Sequence, residues 1–385
     1  MIIPESYQGK EQSYFKHLLL KAYLQRLFMI VGQHQRTICY VDCFAGPWNS
    51  QGDELEDTSI VISLNLINEC RKALLRLNPR IQFRALYIEE KPRRFKKLHE
   101  YLATRPDDGT ETHALQGRFH ELQQEILAWC GSDSFAFFFI DPTGWKNAVE
   151  LRTLHPFLLR RNSEFLINFM YDFLSRTLPQ PEFQDDMEHI FGILPVTQGM
   201  IPEERENHLI TLYRNNLKQV IPQGKGKPQT AYVKVRKPTR DRTLYHLVYL
   251  TRHPKGIVEF MEASEKLELV QKKIRALAKQ DERIGKSQQF ELFSAIEHVT
   301  NDRADMDLSE VKEYWLQLLS IEPKKFGIQE LADMLECTGW FPSDFQKAFG
   351  ELAKEGKVRN LDGKRTRPVN VVNFEKNEML VRVQP

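Results

Sequence analysis

Apolar residues recur at helical spacing from Lys16 to Val31, so the pattern predicts an amphipathic helix there. A short apolar run, Thr37 to Val41, follows and stops at Asp42, which reads as a buried strand running into a loop with Gly46 and Pro47. Ser59 to Leu77 has helical periodicity. Phe83 to Ile88 is a second strand, closed by Glu89 and Glu90, and Pro92 to Tyr101 begins a basic helix. Thr112 to Leu115 is a weak third strand, and Phe119 to Trp129 is helical. Phe135 to Ile140 (FAFFFI) is the clearest strand and ends in Asp141-Pro142-Thr143-Gly144-Trp145. Glu164 to Met170 is a fifth.

Strands alternating with helices at this spacing predict a mostly parallel sheet covered on both faces. Residues 173–219 read as a mostly helical insertion. Ala231 to Arg236 and Thr243 to Thr251 are then two strands joined by a short polar link, the grammar of an antiparallel hairpin. Five parallel strands plus a terminal hairpin match a class I methyltransferase-like (Rossmann-like) α/β fold. A dinucleotide-binding domain would more often end in a sixth parallel strand.

The pattern divides the chain into an α/β domain at 1–263, a helical connector at 264–325 and a winged helix-turn-helix at 326–385. In the last, Leu331, Met334, Leu335, Phe345, Phe349 and Leu352 form the apolar faces of two helices. A basic turn carrying Lys364, Arg365 and Arg367 follows as the wing. The segment is nearly charge-balanced, so it suits a protein partner almost as well as DNA.

The composition narrows the class further. Hydrophobic residues make up 41% and charged residues 28%, which excludes a disordered or collagen-like chain. The net charge of +2 favours no partner, so only local charge informs. No apolar run reaches a membrane span, and MIIPESYQGKEQ does not read as a signal peptide. Five scattered cysteines without zinc spacing lead us to expect reduced thiols, a cytoplasmic protein and no structural metal. Cys39 and Cys43 read as small buried residues.

Three groups of residues carry candidate chemistry. Loops leaving parallel strands at their carboxyl ends are where such sheets bind ligands. Asp42, Phe44 and Gly46 follow the first strand, where a Gly permits close backbone approach and an acid can meet the ammonium of an amino-acid-bearing cofactor. Glu89 ends the second strand, where a carboxylate can accept from two ribose hydroxyls. The bland alternative for each is a cap or a solvated group.

Asp141, Pro142 and Trp145 end the fourth strand. An acid-Pro segment there is how amino-methyltransferases present a base: the acid accepts from the target amine and an aromatic stacks on the flipped base. The alternative is a strand-ending turn with a core Trp. Finally, ten Lys/Arg and only Asp241 as acid lie between Lys218 and Lys255. Lys234, Arg236, Lys237, Arg240 and Arg242, interleaved with tyrosines, suit a nucleic-acid backbone or a merely solvated turn. No GxSxG, Walker or HExxH motif occurs, and the missing GxGxxG weighs against a dinucleotide-dependent enzyme.

The segments YVDCFAGP, LYIEE, FFFIDPTGW, EFLINFMYDF, LYHLVYLTRHPKG and LAKEGKVRNLDGKRTRPVNVVNFEKNEMLVRV resemble the three-Cys-motif partner proteins, TcmP, over nearly the whole chain. The chain departs from that family's usual FAGPG at Trp48 and from its DPFG at Thr143. The resemblance implies a class I methyltransferase core whose reaction is not established. It also implies a neighbouring three-cysteine protein, itself similar to radical S-adenosylmethionine enzymes, as a partner in nucleic-acid repair or phage defence. Two functions are therefore expected as alternatives. One is an S-adenosylmethionine-dependent methyltransferase acting on an amine of a nucleic-acid base (DNA or RNA). The other is a methyltransferase-fold partner of the three-cysteine protein, without turnover.

Overall fold

The computed structural model describes residues 4, 7, 11–46, 58–221, 226–237, 240, 242–287, 307–363 and 371–383. Trp48 and the wing residues Lys364, Arg365 and Arg367 lie outside them. The chain forms two compact units, Met1–Arg252 and His253–Pro385.

In the first unit, helix α1 (Glu11–Val31) precedes an alternating series: β1 (Thr37–Asp42), α2 (Ser59–Leu74), β2 (Gln82–Glu89), α3 (Pro92–Thr104), β3 (Thr110–Gln116), α4 (Gln123–Cys130), β4 (Phe135–Ile140), α5 (Leu151–Leu158) and β5 (Ser163–Phe169). Helices α6 (Tyr171–Thr177), α7 (Gln184–Phe191) and α8 (Pro202–Val220) then lead to β6 (Gln229–Arg236) and β7 (Thr243–Thr251). The seven strands lie in the order β3-β2-β1-β4-β5-β7-β6. Strands β1 to β5 pair in parallel, and β7 pairs antiparallel with both β5 and β6. This is the methyltransferase-like sheet that the alternation and the hairpin predict. The order reverses beside β1, so the loops after β1 and β4 part and leave a crevice at the carboxyl edge.

Every residue of β4 is buried, as a central strand with helices on both faces requires. Phe138 stacks on Phe165 on one face, and Phe137 stacks on Tyr40 on the other. Edge strand β3 alternates half-buried and exposed residues instead, which is why it was the faintest in the sequence. Helix α2 starts where Thr58 Oγ1 accepts from Val61 N at 3.3 Å, an N-cap.

The second unit begins with α9 (Pro254–Ser287). It continues through α10 (Leu308–Leu318), β8 (Lys324–Phe326), α11 (Ile328–Thr338), α12 (Pro342–Lys354), β9 (Val358–Asn360) and β10 (Glu378–Arg382). The strands make an antiparallel sheet in the order β8-β10-β9. The six expected core residues, from Leu331 to Leu352, are all buried. Gly339 ends α11 at φ 72°, a left-handed position that suits glycine. Trp315 of α10 is fully buried against Phe326, Phe345 and Phe349, and its Nε1 donates to Phe345 O at 3.0 Å. Helix α10 and strand β8, both of which begin before residue 326, are thus integral to the winged module.

Candidate functional site

The first two strands deliver their acids to the same edge of the sheet: Asp42 of β1 pairs in register with Tyr87, two residues before Glu89. Beyond β1, Cys43 N donates to Phe139 O at 2.9 Å and Ala45 N to Ile88 O at 2.8 Å, so the loop is pinned across the tips of β4 and β2. That brings Gly46 against Glu89. A Cβ on Gly46 would lie 2.3 Å from Glu89 Oε2, so no side chain fits without moving the carboxylate.

Between these groups opens a cleft of about 370 Å³. Phe44, Gly46, Glu89, Gly117, Phe119 and Thr143 line it, with cations at its mouth. Phe44 packs on Phe119 with ring centres 5.5 Å apart. Glu89 Oε1 accepts from Lys91 N at 2.7 Å. Burial raises the Glu89 pKa, opposed by that N–H and by Arg94 and Lys91. Three of the four expected cofactor residues, Phe44, Gly46 and Glu89, therefore share one cleft.

Asp42 is placed differently. It is fully buried; Oδ2 accepts from Ser59 Oγ at 2.7 Å and Oδ1 from Phe44 N at 3.2 Å. Its oxygens brace the loop and the start of α2. Desolvation pushes its pKa up to about 7, against the Ser59 and Phe44 hydrogen bonds, with the Asp141 charge adding to the rise. A carboxyl with a raised folded-state pKa binds its proton more tightly folded than unfolded. Its penalty is absent below about pH 4 and grows as pH rises toward 7. Asp42→Asn is therefore expected to stabilise the protein by on the order of 2–4 kcal/mol at pH 8 and to leave it nearly unchanged at pH 4. Urea melts at the two pH values check this, and an equal shift at both would refute it.

The three residues after β4 separate. Asp141 forms an ion pair with Lys16 of α1 and accepts from Asn168 Nδ2 at 2.8 Å. Asn168 Oδ1 is buried with no hydrogen-bond partner. Asp141 thus belongs to a polar cluster with Lys16, Asn168 and Asp42, whereas Thr143 lines the cleft. Pro142 is buried. Trp145 is 3% exposed, packed on Phe173 and Phe183 in the core. Its faces are covered, so the expected base-stacking role gives way to core packing. Lys16 and Asn168 were missed because a lysine on an amphipathic helix and a polar residue in a strand carry no local signal. Both are set beside Asp141 only by the fold.

The basic hairpin is partly neutralised. Lys234 lies 3.2 Å from Glu206 of α8, and Arg242 forms an ion pair with Asp172 of α6. Arg236 is half-buried, while Lys237 and Arg240 are exposed. Burial would raise the Glu206 pKa, but His246 (2.9 Å) and Lys234 outweigh it and hold it at about 2. The shortage of acids along the sequence is thus made good in space for Lys234 and Arg242.

Together the sheet order and its carboxyl-edge cleft define a class I methyltransferase-like α/β unit, followed by a winged helix-turn-helix. A family model described as the GMT-like wHTH domain matches residues 279–364. A comparison with curated proteins gave no match. Among solved structures, the chain is similar to MNMC2 from Aquifex aeolicus at 12% identity and a TM-score of 0.27. The match covers 57% of this chain and 55% of that one, so the chain spans about half of that protein. A Staphylococcus aureus protein described as a caffeoyl-CoA O-methyltransferase matches at 10% identity and a TM-score of 0.27, over 60% of this chain and 83% of that one. Loganic acid methyltransferase with SAH matches at 9% identity and a TM-score of 0.26, over 99% and 97%. Likenesses this loose add nothing to the fold argument, which stands on the strand order. Among the described residues, no helix is long and apolar enough to cross a membrane.

Proposed function

We propose that this chain is an S-adenosylmethionine-dependent methyltransferase acting on an amine of a nucleic-acid base. The observation that carries the reading is the close approach of Gly46 to Glu89 inside the cleft at the carboxyl edge of the sheet. Glu89 would hold the ribose hydroxyls, the bare backbone at Gly46 would let the cofactor close in, and Phe44 and Phe119 would wall the adenosine. Asp42 keeps the loop in place through Phe44 N and Ser59. When bound, S-adenosylmethionine supplies an activated methyl group. Asp141 and Asn168 would hold the target amine, with the Asp141 carboxylate taking up its proton, and the winged helix would dock the polymer. The sequence resemblance to three-Cys-motif partner proteins agrees with a role on nucleic acid.

A second reading keeps the fold but not the turnover: a binding partner of the three-cysteine protein, in repair or phage defence. The engagement of Asp141 by Lys16 and the burial of Trp145 favour it.

Calorimetric titration with S-adenosylmethionine and S-adenosylhomocysteine tests the proposal. Both should bind, and Glu89→Ala should weaken binding by about 1.5–3 kcal/mol, the scale of hydrogen bonds to a charged group. Unchanged affinity in that variant would remove Glu89 from the site. Tight binding without methyl transfer to DNA or RNA would select the second reading.

A further inference from the structure

The cleft carries more cations than the proposed cofactor, with its single carboxylate, explains. Lys91, Arg94, Arg118 and Lys146 all line it, yet S-adenosylmethionine has no phosphate. Arg118 is paired with Glu90 at 2.8 Å and Lys146 with Asp186 at 3.0 Å. No ion pair within 4 Å among the described residues engages Lys91 or Arg94, although both charges act on Glu89.

The charge continues along α3. Arg93, Lys96 and Lys97 are exposed, and on this face the only ion pair among the described residues joins Lys96 to Glu100 at 3.9 Å. The first turn of α3 holds no acid and its N-cap makes no side-chain hydrogen bond. Cations at a helix N-terminus oppose the helix dipole, so this arrangement costs the helix stability. Only Leu98 of α3 is buried, so packing does not require these residues either. An anionic partner accounts for both facts. By contrast, Lys234 and Arg242 of the hairpin already have acidic partners.

We infer that the basic face of α3, Lys91 to Lys97, is the surface on which a nucleic-acid phosphate backbone docks at the mouth of the cleft. The inference rests on the reading of the cleft as a methyltransferase site and names where its polymer lies. Phosphates spaced along a strand would meet Arg93, Lys96 and Lys97 on the outer face, with Lys91 and Arg94 leading inward. The match is electrostatic and independent of sequence, so it predicts salt-dependent binding.

The test uses the full-length protein and a fluorescein-labelled mixed-sequence DNA duplex, with anisotropy read across a salt series. Arg93→Gln/Lys96→Gln/Lys97→Gln should lower the salt slope by about 2–3 units, at roughly 0.9 per phosphate contact, and weaken binding roughly 100-fold near 0.1 M salt. Lys234→Gln/Arg242→Gln should change the slope by well under one unit. If the triple variant does not fold, Arg93→Gln and Lys97→Gln taken singly should each remove about one unit. An unchanged slope in the α3 variants overturns the inference, as does a loss confined to the hairpin variant. Saturable binding of inorganic tripolyphosphate with no binding of duplex would also overturn it, since the cations would then serve a small anion. Titrating the triple variant with S-adenosylmethionine separates the two ideas. Cofactor binding with an unchanged slope fails only the docking surface; a lost slope with no cofactor binding in the parent protein fails only the cofactor reading.

Discussion

Glu164→Ala is expected to destabilise the first unit by about 3–5 kcal/mol. Glu164 is buried near the start of β5, where Tyr23 and Tyr249 donate to its Oε2 at 2.8 and 2.7 Å and Thr251 donates to Oε1 at 2.8 Å. Burial first, and then the carboxylate itself, hold both phenols well above their usual pKa, so they remain donors. Truncation takes the carboxylate acceptor from three buried hydroxyls, each loss costing about 1–3 kcal/mol, less what the two tyrosines regain from each other. Glu164→Gln keeps one acceptor oxygen and should cost about 1–2 kcal/mol. Chemical denaturation of the two variants checks the ranking. A loss under about 1 kcal/mol for the Ala variant would mean that the cluster is not what ties α1 to the sheet. That tie reaches the site: the helix that brings Tyr23 to Glu164 also brings Lys16 to Asp141.

The parallel core was legible because buried strands leave an unbroken apolar run, as in FAFFFI, and because Asp42 and Glu89 close theirs with charge. The hairpin was legible because its link is short and polar. What the chain alone could not show were charge pairing and packing between distant elements. The hairpin seemed unopposed in charge because Glu206 and Asp172 lie on other helices. Trp145 looked like a stacking platform because nothing local announces Phe173 and Phe183 around it. Helix α10 was absorbed into a charged connector, although Trp315 is the largest side chain in the winged core. The basic start of α3 was visible as a helix, but its position at the cleft depends on the β2–β3 crossover. Lys16 stands well over a hundred residues from Asp141 in sequence, so only the fold could pair them.

On the proposed reading, Asp141→Ala lowers methyl transfer by about 10²–10⁴-fold, the usual worth of a positioned proton acceptor, while S-adenosylmethionine affinity stays nearly unchanged. The carboxylate already holds an amine, that of Lys16, and both side chains are largely shielded, at 13% and 17% exposure. Beside them, Asn168 donates to Asp141 through Nδ2 and leaves its buried Oδ1 without a donor. An incoming base amine could satisfy that oxygen while displacing the Lys16 ammonium from Asp141. Lys16→Met separates this role from simple structural pairing. It removes the ion pair but keeps the acceptor, so transfer should persist or rise, whereas Asp141→Ala lowers it. If the pair is only structural, the two variants should lose similar stability and neither should alter turnover measured on folded protein. That second result would assign Asp141 to the scaffold and leave the partner reading as the one the site supports.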